Sequence, residues 1–120
     1  MIIRFHHAQI TIPKGTEKEA KKFYCEILKL KEIQKPESLL GRGGFWVQVG
    51  DQQLHIGTEE GVDRLLTKAH LAYEIEDLKA IEKLLEENNI EIIESVPILG
   101  YERFEFRDPF GNRVEIIKPI

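Results

Sequence analysis

The side chains in this chain best suited to chemistry are its four histidines, His6, His7, His55 and His70, and a glutamate near the C-terminal end, Glu115. Imidazoles with a carboxylate suit a borderline divalent ion such as Zn, Ni, Fe, Co or Mn. Two histidines and one carboxylate with open positions would favour Fe(II). A structural zinc site built on thiolates is not available, because Cys25 is the one cysteine. The candidate metal ligands are His7, His55, His70 and Glu115. They are far apart along the chain, so the fold has to bring them together.

The elements that would do so can be read from periodicity. Residues 4–12 alternate as a strand, with Ala8, Ile10 and Ile12 on one side and His7, Gln9 and Thr11 on the other. Thr16 to Glu19 matches a capping box ahead of a helix carrying Ala20, Phe23, Tyr24, Ile27 and Leu28. A short strand is expected over 31–35, then a flexible turn at Gly41 to Gly44, then strands at 45–49 and 53–57 joined through Gly50, Asp51 and Gln52. A loop over 58–67 leads to a strand at 69–75, and Asp77 can cap a second helix bearing Leu78, Ile81, Leu84 and Leu85. Asn88 and Asn89 suit that helix's C-terminal end. Strands are expected at 90–93, 103–106 and 113–117, the last two joined by a turn over Asp108, Pro109, Phe110 and Gly111.

The order is β-α-β-β-β twice, which predicts an α+β domain over 1–120 with module one about 1–58 and module two about 67–120. His7 and His70 lie 63 residues apart and open the two modules; His55 and Glu115 lie 60 apart and close them. Each falls on the polar half of its strand: His70 with Glu74, His55 with Gln53, Glu115 with Arg113. A sheet covered by helices on one face can leave the other as a cleft. A pseudo-twofold relation would bring the four ligands to that cleft. His6, on the opposite side of its strand from His7, is expected to be structural. Glu115 beside Arg113 could instead be a solvated ion pair.

Composition narrows the class of function. A hydrophobic fraction of 42% and a charged fraction of 32% are those of an ordinary globular domain. The net charge of −4, with no basic stripe, gives no reason to expect a nucleic-acid or membrane partner. No run approaches the length of a membrane span or a signal peptide, and the single cysteine fits a cytoplasmic location. Cys25 sits in a helical pattern and reads as packing.

The stretches "HAQITI", "KKFYCEILKL", "HLAYEIEDL" and "RDPFGNRVEI" resemble the vicinal oxygen chelate superfamily, which includes glyoxalase I, bleomycin- and fosfomycin-resistance proteins and extradiol dioxygenases. The resemblance spans nearly the whole chain, and the Asp-Pro-x-Gly-Asn turn before Glu115 is its most distinctive part. It implies paired βαβββ modules forming a cupped, incomplete barrel around a metal, with ligands from the first and last strands of each module. His55 stands where glyoxalase I carries a glutamate. Thr11 stands where glyoxalase I carries a glutathione-binding arginine, so glutathione is not implied.

The leading expectation is a metal-dependent enzyme of lyase or isomerase type. Its ion would bind two neighbouring oxygens of a small substrate and act as a Lewis acid. Glu115 would be both ligand and base. Trp46 and Gln48 would flank the pocket, and Arg103 could hold an anionic group. The alternatives are a non-catalytic drug- or small-molecule-binding dimer like the bleomycin-resistance proteins, and an Fe(II) extradiol-type dioxygenase. A homodimer is expected in either case, because exposed sheet edges invite a second copy.

Overall fold

A computed structural model describes all 120 residues. The chain divides into two compact units, Met1–Val62 and Asp63–Ile120. Each is a four-stranded mixed sheet with one helix between its first and second strands.

In unit 1, β1 (His7–Ile12) is followed by α1 (Glu17–Lys21), β2 (Lys31–Ile33), β3 (Phe45–Val49) and β4 (Gln52–Thr58), in the sheet order β1-β4-β3-β2. Parallel pairing of β1 with β4 needs a crossover, and the helix supplies it. Alternation then sorts the side chains. Phe45, Val47, Leu54 and Ile56 are buried together with Ile12, Ala20, Phe23 and Tyr24 to make the core. Burying each of the larger ones is worth about 1.5–3 kcal/mol. The Lys21 ammonium lies 5.3 Å from the Phe45 ring centroid and 3.2 Å from Glu32, which ties α1 to the Phe45 face. Trp46, Gln48, Gln53 and His55 occupy the opposite face.

Unit 2 repeats the plan. It contains β5 (His70–Glu74), α2 (Leu78–Glu87), β6 (Ile93–Glu94), β7 (Tyr101–Arg107) and β8 (Arg113–Pro119), in the order β5-β8-β7-β6. Phe104, Phe106, Val114 and Ile116 are buried with Leu85, leaving Arg103, Glu105, Arg107, Arg113 and Glu115 on the other face. Asp77 caps α2 by accepting from the Ala80 N–H at 3.0 Å, and Asn89 ends it with φ +56°. The Asp108 turn closes as the pattern predicts, Gly111 N–H donating to the Asp108 carbonyl at 3.1 Å.

Several local expectations are corrected. β1 starts at His7 rather than residue 4, so His6 lies outside the strand and is exposed, not turned to the core. The capping box at Thr16 does not form, because its hydroxyl instead donates to the Pro13 carbonyl at 2.6 Å. The first helix widens over Lys22–Ile27, where Leu28 N–H reaches the Phe23 carbonyl five residues back. A 3-10 helix, Glu37–Arg42, takes in Gly41 and Arg42, the first half of the stretch expected to be a flexible turn. The strand expected at 90–93 shrinks to Ile93–Glu94.

Candidate functional site

The registers give the two units the same local geometry. In unit 1, His7 is opposite Gln53 on β4, and His55 is opposite Gln9, so His7 and His55 sit on a two-residue diagonal across a parallel pair. In unit 2, His70 is opposite Arg113 on β8, and Glu115 is opposite Ala72, the same diagonal. Parallel neighbours two residues out of step share a face, so each unit presents its two candidate ligands side by side.

In unit 1 the His55 ring is sandwiched. It stacks on Trp46 at 3.6 Å with an interplanar angle of 2°, and on His7 at 4.0 Å and 20°. Trp46 is the direct cross-strand partner of His55, and the flat pairing follows from that register. The His55 Nε2 lies 3.0 Å from Gln53 Oε1. An amide oxygen only accepts, so Nε2 carries the proton and Nδ1 keeps the lone pair. Burial, then the neighbouring His7, His6 and Lys35, push the His55 pKa down to about 4. The ring is therefore neutral near pH 7, the form able to coordinate a metal. His7 is exposed, and its Nδ1 lies 3.0 Å from that of His6. Trp46, His7 and His55 line a cavity of about 460 Å³. Gln48 does not line it; its amide donates to the Gly50 carbonyl at 2.9 Å.

In unit 2, Glu105 and Glu115 are direct cross-strand partners, and both are buried. Two like charges so placed repel unless cations intervene. Arg113 grips Glu105 with a two-pronged contact, Nε to Oε2 at 2.5 Å and Nη2 to Oε1 at 2.6 Å. That contact outweighs burial and holds the Glu105 carboxyl below its ordinary pKa. The Arg103 Nη1 lies 3.4 Å from Glu115 Oε1 and 3.7 Å from Glu105 Oε1, and its Nε donates to the Val96 carbonyl at 3.1 Å. Arg113 thus pairs with Glu105, not with its strand neighbour Glu115.

His70 completes this face. Its Nδ1 is 2.8 Å from the Lys68 carbonyl, and its Nε2 is 3.0 Å from Glu115 Oε1. A carbonyl only accepts, so Nδ1 bears a proton. A neutral His70 would then aim the Nε2 lone pair at a carboxylate oxygen, which is repulsive. The contact needs a positive charge between the two atoms, either a proton or a metal ion. Backbone support of the outer ring nitrogen is also the usual arrangement behind a metal-ligating histidine. No three His, Cys, Asp or Glu side chains gather as a metal-binding group; His7 and His55 are paired in unit 1, and His70 and Glu115 in unit 2.

Sequence reasoning passed over Glu105, Gln53, the Lys68 carbonyl and the cations Lys35 and Arg42. Glu105 had a usable signal, since it alternates onto the same face as Arg103 and Arg107. Gln53 had the same kind of signal, since it shares the face of His55; the Lys68 carbonyl, Lys35 and Arg42 had none, because their roles depend on loop paths and rotamers.

Residues 4–116 match the family described as the Glyoxalase/Bleomycin resistance protein/Dioxygenase superfamily. The chain belongs to this superfamily. Among solved structures, this superfamily member is similar to a Bacillus anthracis protein described only at the level of the glyoxalase family. The identity is 36%, covering 100% of this chain and 98% of that one, with a TM-score of 0.93. A glyoxalase/dioxygenase from Nostoc punctiforme shares the fold at 22% identity, 98% and 91% coverage and a TM-score of 0.80. So does a mutant of the fosfomycin resistance protein FosX from Listeria monocytogenes, solved with Mn(II) and 1S,2S-dihydroxypropylphosphonic acid, at 16% identity, 100% and 95% coverage and a TM-score of 0.81. Among curated proteins, none matches the chain. No helix of this superfamily member is long and apolar enough to cross a membrane.

Proposed function

We propose that this protein is a divalent-metal-dependent enzyme of lyase or isomerase type. Its substrate is a small molecule presenting two vicinal oxygens, and its ligand set is His7, His55, His70 and Glu115. The observation that supports this best is the His70–Glu115 contact, 3.0 Å between two atoms that need a proton or a metal ion between them. Two donors about 2.1 Å from one ion and at right angles to each other are about 3 Å apart, so the spacing fits adjacent ligands. The neutral, stacked His55 fits the same donor chemistry. The donor set leaves Zn, Ni, Fe, Co and Mn as candidates.

When bound, such an ion supplies Lewis-acid polarisation of a substrate oxygen. The chain's own residues do the rest. The Lys68 carbonyl fixes the tautomer and orientation of His70. Glu115 accepts the proton that leaves the substrate carbon, and Arg103 offers its carboxylate a cationic partner at 3.4 Å. Trp46 backs the His55 ring and keeps it from turning.

The second reading is a small-molecule-binding protein without chemistry. The flat Trp46–His55–His7 stack favours it, since such a wall also suits a planar ligand. Metal content of untagged protein separates the two. The enzyme reading expects about one ion per ligand set, lost in His70→Ala and in Glu115→Ala. Protein that takes up no ion even after reloading would leave the binding reading. Both readings carry the proposal of a homodimer, which light scattering checks.

A further inference from the structure

The cavity of unit 1 has an electrostatic character of its own. Beside His7, His55 and Trp46 its lining residues include Lys35 and Arg42, and no Asp or Glu. This is a local excess of positive charge in a chain whose net charge is −4. Lys35 is positioned rather than loose, because its ammonium donates to the Gly43 carbonyl at 2.6 Å and keeps two further donors. Arg42 ends the 3-10 helix just before that carbonyl. Glu17 reaches the same backbone, accepting from the Gly44 N–H at 3.4 Å, but it is not among the lining residues. Gln9 adds an amide to the wall, lying over Gly57, where a Cβ would come within 2.8 Å of its Nε2.

We propose that this cavity binds a small oxyanion, a carboxylate or a phosphoryl group, held by Lys35 and Arg42. The proposal rests on the function proposed above only in identifying that anion as part of the substrate, so the substrate is an anionic molecule. Ammonium and guanidinium groups recognise both oxyanions through charge-assisted hydrogen bonds.

Trp46 is the only tryptophan and lines the cavity, so its fluorescence reads this site alone. Protein is titrated with sodium phosphate and with sodium acetate, against sodium chloride at matched ionic strength, both chelator-treated and metal-loaded. A saturable change with phosphate or acetate, absent with chloride, is expected. Lys35→Gln with Arg42→Gln should weaken it by roughly tenfold or more, while Arg107→Gln in unit 2 should leave it unchanged. Lysine acylation of wild-type protein, read by mass spectrometry, needs no variant: the anion that shifts the fluorescence should protect Lys35. No saturable response to either anion, a response matched by chloride, or an unprotected Lys35 would overturn the proposal. Metal content is measured on the same samples. In wild-type protein, metal uptake without anion binding counts against this inference alone, and anion binding without metal uptake counts against the enzyme reading alone.

Discussion

Gly44 sits at the entry to β3, the strand that carries Trp46, and its substitution isolates a steric cost that can be worked from the structure. Its φ is +74°, where an L-residue pays about 1–2 kcal/mol. A Cβ there would lie 2.1 Å from the Ile56 carbonyl oxygen and 3.1 Å from the Gly57 Cα. Carbon and oxygen prefer a separation above roughly 3 Å, so the start of β3 must move by about 1 Å. Ile56 is the register partner of Phe45, and the movement disturbs a buried ladder position worth about 1–3 kcal/mol. Together, Gly44→Ala should cost about 2–5 kcal/mol. Gly50→Ala is the control. Its φ is +58°, but nothing lies within 4 Å of the new Cβ, so it should cost about 1–2 kcal/mol. Urea unfolding followed through Trp46 reports unit 1, which holds both glycines. Equal destabilisation of the two variants, within about 0.5 kcal/mol, would show that the Ile56 carbonyl does not crowd a Cβ at Gly44.

Asp77→Ala should lose about 1 kcal/mol, because α2 loses the acceptor for its Ala80 N–H; thermal melts of the pair check this. Asp108 is buried and accepts from the Phe110 N–H at 2.9 Å, the Asn112 N–H at 2.8 Å and the Asn112 side-chain amide at 2.8 Å. Asp108→Ala leaves those donors bare and should cost about 2–4 kcal/mol, measured by denaturant unfolding. Glu105 has a depressed folded-state pKa, so its stabilisation is present above its ordinary carboxylate value and is lost as pH falls through the lower folded value. Wild-type stability should therefore drop more steeply than that of Glu105→Gln as pH falls below the ordinary carboxylate value. Parallel profiles would contradict the pairing with Arg113.

The parts of the fold set by short-range rules were legible in the sequence. Alternation located β3 and β4 to within a residue, Asp77 announced its helix, and the Asp108 turn was readable from four residues. The same alternation put each candidate pair on one face, which the registers repeat in both units. What was not legible depended on competition between partners. The Thr16 hydroxyl had Pro13 as well as the helix to choose from, and it bonds to Pro13. Arg113 had Glu115 two residues away but reaches Glu105 across the sheet, leaving Glu115 to His70. The 3-10 helix at Glu37–Arg42 is too short for periodicity to show, and Gly41 within it reads as a turn.

On the proposed function, His70 presents Nε2, with Nδ1 held by a backbone carbonyl, as a metal ligand beside Glu115. Nitrogen NMR of histidine-labelled protein tests it with four residues to follow, His6, His7, His55 and His70. One equivalent of Zn(II) at neutral pH should shift Nε2 of His70 while its Nδ1 keeps its proton. His7 and His55 should shift with it and His6 should not. Unchanged His70 signals, or loss of the Nδ1 proton on metal addition, would contradict the account.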